Sequence, residues 1–441
     1  MNAPTLLGLA ALLGMAATGL ADNSLVDLRV SPEQDRVLKS DGVEVTFDVN
    51  ICGRDSVSQR HTPINLALVI DHSGSMEGAK MEKARQAACI AIDQLQPGDT
   101  FSLVQFDYTV DVLVPAQPVE DKEQLKAIAE RISARGSTAL HAGVEEGARQ
   151  LRKYFDEKNV NRVILVSDGI ANVGPSSPEE LAQMAREIRD HGASVTTVGL
   201  GEDYNEDVMA SIAEASGANY YYVKDAEKLP EVFEKELGEV KNVVAQDLQI
   251  IIETPDGVEP IEIIGMPDVH FDGRKATVRL GSFYASQKRD LLVRCRIKTP
   301  RGDNANVGRV HIVYEAPGDG KNCEANADAN VQFTEKQADA DQSVNRTVAT
   351  QVALTKNAVA RQRALELQDK GQYREAGEVL KAQAAADVSA AQQFGNSKLD
   401  SEAKDLNGLS GQLDAATPMG NAQRKAFQYE NYNQTEQKEQ Q

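Results

Sequence analysis

Residues 62–240 repeat one pattern, a short apolar strand followed by a helix, and that pattern leaves few folds open. Residues 65–70, 101–106, 162–166, 195–200 and 220–223 read as strands, and 110–114 as a strand paired with 101–106. Residues 82–95, 124–132, 140–155, 178–190, 207–215 and 226–240 read as helices. In the first helix Ala84, Ala88, Ile92 and Leu95 recur at helical spacing, and Pro97-Gly98 ends it. Ser177 stands where a helix N-cap belongs, and Gly217 closes another helix. Strands alternating with helices predict an α/β domain, a doubly wound, mostly parallel, Rossmann-like sheet covered on both faces.

The flanks have a different period. Residues 25–30 and 43–51 alternate apolar and polar side chains, as do 248–253, 258–264, 276–280, 290–298 and 307–314. Segments 22–61 and 245–316 are therefore expected to form one β-sandwich with the α/β domain (62–240) inserted in it. Residues 317–342 are polar and read as a linker. Residues 343–395 read as a helical hairpin broken near Lys370-Gly371-Gln372. Residues 396–441, rich in Asn, Gln, Ser and Lys, read as a mostly disordered tail. At the other end, residues 5–20 are apolar and Gly19-Leu20-Ala21 offers small residues for cleavage. Residues 1–21 are expected to be a signal peptide, making the protein periplasmic or secreted. No later run is long and apolar enough to span a bilayer.

Composition narrows the function. A chain of 441 residues is expected to hold two or three domains. Its net charge of -20 argues against nucleic acid and anionic lipid as partners, both of which need a basic surface. The four cysteines lack metal-site spacing. Cys89 reads as a buried free thiol and Cys295 as inward-facing. A Cys52–Cys323 bridge is geometrically easier than Cys52–Cys295, and the pairing stays open.

Three short motifs carry the chemistry. Asp71-His72-Ser73-Gly74-Ser75 follows the strand 66–70, Gly136-Ser137-Thr138 precedes a helix, and Ser167-Asp168-Gly169 follows the strand 162–166. Loops at the carboxyl ends of strands meet in a crevice in open α/β sheets, so distant residues converge there. Asp71, Ser73, Ser75, Thr138 and Asp168 all donate oxygen. That set suits a hard cation, Mg²⁺ or Mn²⁺, and disfavours Zn²⁺. Residues two apart in an extended turn point the same way, which explains D-x-S-x-S. Asp107, Asp111 and His72 read as ordinary loop residues, His72 facing solvent. Arg301-Gly302-Asp303 reads as a tight turn.

D-x-S-x-S after an apolar strand, a distant G-x-T and an apolar strand ending in S-D-G together resemble the metal-ion-dependent adhesion site of von Willebrand factor A domains. The stretches around Asp71 and Asp168 resemble exported bacterial members. The flanking strands more distantly resemble those of inter-alpha-trypsin inhibitor heavy chains. The resemblance implies that Ser73, Ser75 and Thr138 ligate the metal directly, while Asp71 and Asp168 act mainly through water. It also implies an open position for an Asp or Glu carboxylate of a partner protein. The last helix of the domain, 226–240, is implied to shift when the site changes ligands. Arg135-Gly136-Ser137-Thr138 departs from the two glycines that many relatives place before the threonine, without removing a ligand. Two other readings compete, an envelope scaffold whose metal only stabilises it and a metal-assisted hydrolase. No G-x-S-x-G, H-E-x-x-H or phosphate-binding glycine loop supports an enzyme.

Overall fold

The computed structural model describes residues 24–54, 62–317, 320–413 and 419–437, so the expected signal segment lies outside the described residues. Three strands come first, β1 (Val26–Pro32), β2 (Arg36–Leu38) and β3 (Val43–Gly53). The α/β domain opens with β4 (Ile64–Asp71), α1 (Ala79–Gln94), β5 (Thr100–Phe106), β6 (Val110–Pro118) and α2 (Lys122–Ala129). It continues with α3 (Leu140–Leu151), β7 (Val160–Ser167), α4 (Pro178–Asp190) and β8 (Ser194–Leu200). It closes with α5 (Glu206–Ser216), β9 (Tyr220–Val223) and α6 (Leu229–Lys241). Next come β10 (Val243–Glu253), β11 (Val258–Ile263), β12 (Lys275–Tyr284), β13 (Lys288–Ile297), β14 (Asn304–Ala316) and β15 (Lys321–Thr334). The last helices are α7 (Gln337–Gln342), α8 (Arg346–Asp369), α9 (Tyr373–Phe394), α10 (Ser397–Leu413) and α11 (Asn421–Thr435).

The α/β domain is a six-stranded sheet in the order β6-β5-β4-β7-β8-β9, parallel except where β6 pairs with β5. Strands β4 and β7 are buried along their whole length, which is why their sequences run apolar without alternation. Leu66, Leu68 and Ile70 pack beneath Ala84 and Ala88 of α1 and Leu237 of α6. Ala67, Val69 and Leu165 pack on the other face with Val144, Leu181 and Ile212. Helix α3 approaches this face closely. A Cβ at Gly143 or Gly147 would fall 2.6 Å from the side chains of Phe106 or Val69. Ser177 and Glu180 form a reciprocal capping box at the start of α4.

The flanking strands form the two sheets of a sandwich, β1-β3-β13-β11 and β12-β10-β14-β15-β2. Phe47, Val49 and Ile51 share one core with Ile250, Ile252, Val293 and Ile312. The α/β domain stands between β3 and β10, so the insertion expected from the sequence is observed. Cys295 is buried, as expected. The thiols of Cys52, Cys89, Cys295 and Cys323 are all unpaired, and Cys89 is only partly buried.

Two expectations are corrected. The segment 317–342 is not a linker, because β15 and α7 occupy it. Strand β15 pairs antiparallel with β14 and parallel with β2. Cys323, Ala325, Ala327, Ala329, Val331 and Phe333 alternate with exposed polar residues, a strand period built from small side chains. The tail 396–441 is not mostly disordered either. In α10, Leu399, Ala403, Leu406 and Leu413 are buried at helical spacing. Helix α11 reaches back to the α/β domain. The rings of Tyr429 and Tyr432 stand edge-on to Tyr220, with centroids 5.7 and 5.5 Å away, and Tyr432 donates to the Ala218 carbonyl at 2.7 Å. Lys425 donates to the Tyr204 carbonyl at 2.6 Å and pairs with Glu206 at 2.5 Å. The hairpin expected at 343–395 is present as α8 and α9.

Two stability predictions follow from this packing. Tyr432→Ala should lower unfolding free energy by about 3 kcal/mol, since it removes a buried ring and its hydrogen bond. Denaturant titration measures the loss, and hydrogen exchange across 421–435 should rise with it. The second concerns Asp48, buried on β3 with one carboxyl oxygen lacking a partner. Burial, then the charge of Asp290, pushes its pKa up to about 8. Between that value and the ordinary value of about 4, the folded chain keeps a proton the unfolded chain has lost, so stability falls as pH rises. Thermal melts of Asp48→Asn should show a higher Tm than the parent at pH 8 and little difference at pH 4.

Candidate metal site

The chain leaves β4 for β5 on one side and returns to β7 on the other, so the strand order reverses at β4. The carboxyl ends of β4 and β7 are neighbours there, and Asp71 and Asp168 stand at those two ends. Both are fully buried. Three loops close over them and are tied together by backbone hydrogen bonds. Gly74 N donates to Gly136 O at 3.1 Å, and Asn172 N donates to Thr138 O at 3.2 Å. Asn172 also accepts from Thr138 N at 3.1 Å. Gly136 has φ of +76°, and a Cβ there would fall 2.7 Å from an Asp107 oxygen, so the loop needs glycine at this position. The single glycine before Ser137 thus fills the structural need at this turn.

All five residues singled out in the sequence come together. Ser73 N donates to Asp71 Oδ1 at 2.8 Å. The Ser73 and Ser75 hydroxyls are 3.1 Å apart, and Ser75 donates to Asp168 Oδ1 at 2.7 Å. A Cβ built on Gly169 would lie 2.8 Å from Thr138 Oγ1 and 3.5 Å from Asp71 Oδ2. Glycine therefore keeps a space open between the hydroxyl and the carboxylate. Three hydroxyls and two carboxylates around such a space fit a small hard cation. Among the described residues no cluster of three or more His, Cys, Asp and Glu side chains is suited to a metal. Most of the donors at this site are instead hydroxyls.

The electrostatics are those of a pocket short of positive charge. Burial pushes the Asp71 carboxyl up to about 6, opposed by hydrogen bonds from Ser167 and Ser73 and reinforced by the charge of Asp168. The Nζ of Lys80, in the first turn of α1, pairs with Asp168 Oδ2. Burial acts to raise the Asp107 carboxyl, but two hydrogen bonds from Thr109, with His72 and Arg135 nearby, hold it below its usual value.

Four contributors escaped the sequence reading. Lys80 lies beyond the loop motif, yet the first helical turn carries it back to Asp168. Ser167 donates to Asp71 Oδ2 at 2.6 Å and fixes that carboxylate. Asn172 holds the Thr138 loop. His72 does not face solvent: it is buried, with Nδ1 3.0 Å from Ser133 O and Nε2 3.7 Å from Asp107. Its backbone continues β4, with His72 N donating to the Phe106 carbonyl at 3.0 Å, and the burial of that strand on both faces extends to it. Asp107 and Asp111 both bind Arg135, each at 3.2 Å. His141 faces Glu145 at 3.4 Å.

A mostly parallel sheet, with D-x-S-x-S, a loop threonine and an S-D-G aspartate gathered at its carboxyl edge, defines the class of von Willebrand factor type A domains. Residues 65–235 match that family's model, and this part of the chain is such a domain. The Synechocystis protein sll0103 is 27% identical over 271 residues, covering 59% of this chain and 64% of that protein. Rat inter-alpha-trypsin inhibitor heavy chain H3 is 29% identical over 160 residues, covering 34% of this chain and 18% of that one. The match thus spans less than two thirds of each relative. A solved structure, the von Willebrand factor type A protein from Catenulispora acidiphila, superposes over 91% of this chain and 99% of its own. Its TM-score is 0.71 at 19% identity, so the likeness is one of fold and extends to the sheets and helices outside the α/β domain. Domains of this family are commonly metal-dependent protein-interaction modules.

Proposed function

We propose that the protein is a metal-ion-dependent, adhesion-type protein-binding module and not an enzyme. Ser73, Ser75 and Thr138 would hold one Mg²⁺ or Mn²⁺ directly, with Asp71 and Asp168 behind them acting mainly through water. The metal would supply a positive centre for an Asp or Glu carboxylate of a partner protein. The observation that carries this reading is the convergence of three hydroxyls and two buried carboxylates on a space that Gly169 keeps clear. Two buried carboxylates facing one lysine need further positive charge, since an uncompensated buried charge is costly. Of the histidines near the site, His72 is buried with Nδ1 against the Ser133 carbonyl and His141 faces Glu145. The hydroxyls of Ser73 and Ser75 bond each other and Asp168 instead of a histidine, which supports binding over hydrolysis. No helix among the described residues is long and apolar enough to cross a membrane. Export through residues 1–21, to the periplasm or outside the cell, completes the proposal.

Calorimetric titration with Mg²⁺ tests the site. The parent should bind saturably, and Asp71→Ala should not bind while keeping its far-ultraviolet circular dichroism. Lys80→Met should bind more tightly than the parent, because the metal no longer competes with an internal cation for Asp168. An Asp71→Ala titration equal to the parent's would sink the assignment. Immobilised residues 22–441 should then retain a partner protein in Mg²⁺ and release it in EDTA.

A further inference from the structure

Exposed apolar side chains are ordinary when scattered singly and informative when they gather in one place. Three large ones stand on the loops around Thr138: Tyr108 is 62% exposed, Ile170 59% and Val173 38%. Tyr108 lies against the Thr138 loop from one side, its Cδ1 2.9 Å from where a Gly136 Cβ would be. Ile170 and Val173 flank Asn172, which holds that loop from the other side through its two hydrogen bonds to Thr138. The carboxyl edge of the sheet is therefore a polar centre between two apolar shoulders.

Charge around the site limits what the shoulders can receive. The two cationic side chains beside it are already committed, Arg135 to Asp107 and Asp111 and Lys80 to Asp168. Glu77 is exposed on the loop that follows Ser75, and the chain as a whole carries -20. A polyacidic ligand would find these two cations already paired and would be disfavoured by Glu77 and by the net charge of the chain. A ligand with one carboxylate and apolar neighbours meets a complementary surface throughout.

We infer that the partner presents a single Asp or Glu flanked by bulky apolar side chains, which pack on Tyr108 on one side and on Ile170 and Val173 on the other. This rests on the metal-dependent reading above and specifies its ligand. A displayed library of peptides, each with one fixed glutamate and randomised flanks, selected on the full chain in Mg²⁺ and in EDTA, tests it. Selection in Mg²⁺ should enrich large apolar residues beside the glutamate, and a Glu→Gln copy of a winning peptide should not bind. Tyr108→Ser and Ile170→Ser should each weaken the winner about tenfold, the effect of losing one packed apolar side chain. Both should leave the Mg²⁺ titration unchanged, as should Val388→Ser, an exposed control on α9 that leaves peptide binding intact as well. Mg²⁺-dependent winners with no apolar bias, bound equally by both serine variants, would overturn the inference and leave the metal reading standing. Absence of any Mg²⁺-dependent winner would overturn both.

Discussion

The buried ion pair between Arg162 and Glu236 fixes how the parts of this molecule sit together. Arg162, near the start of β7, is fully buried, and a guanidinium in that position is costly unless it is paired and hydrogen-bonded. Both of its terminal nitrogens find partners, while Nε has none. It donates to Thr196 at 2.9 Å, pairs with Glu236 of α6 at 3.3 Å and bonds the Tyr284 hydroxyl from the sandwich. Glu236 in turn accepts from Asn219 at 2.6 Å and Tyr221 at 3.0 Å. One cluster thus joins the central sheet, its last helix and the neighbouring domain. Sliding α6 along its axis would break these bonds together. The motion that the family resemblance implies for this helix must overcome this cluster.

The same strand that anchors this cluster ends at the candidate metal site. Strand β7 has Arg162 near one end and leads into Asp168 at the other. The site gains its precision from the parallel sheet beneath it and from loop backbones bonded to one another. Ser167 and the Ser73 amide orient Asp71, and Asn172 holds Thr138. Apart from the Ser73 amide, two residues from Asp71, the groups that position these side chains come from other loops, whose ends the sheet fixes.

Much of this was readable in the sequence. Uninterrupted apolar strands such as 65–70, alternating with helices, admitted one kind of sheet, and a crevice at the carboxyl ends of its strands could be placed beside Asp71. All five oxygen donors were visible because their spacing is chemical. What escaped had weaker signals. The alternation in β15 is carried by alanines, which bury little area each, so composition outweighed period there. Helix α11 docks through Lys425, Gln428, Asn431 and Tyr432, buried residues that look like a solvated tail until the surface they meet is known. Lys80 was missed because its partner lies on another strand.

The insertion has a mechanical meaning. The α/β domain joins the sandwich near the amino end of β4, after β3, and at the end of α6, before β10, whereas the candidate site lies at the opposite end of the sheet. Strand β3 belongs to one sheet of the sandwich and β10 to the other. Tension applied at the site would run lengthwise down β4 and β7, loading their hydrogen-bonded ladders in shear. It would then divide between two sheets bonded through a common core. A load on the candidate site would therefore reach the sandwich along the parallel strands and not across them.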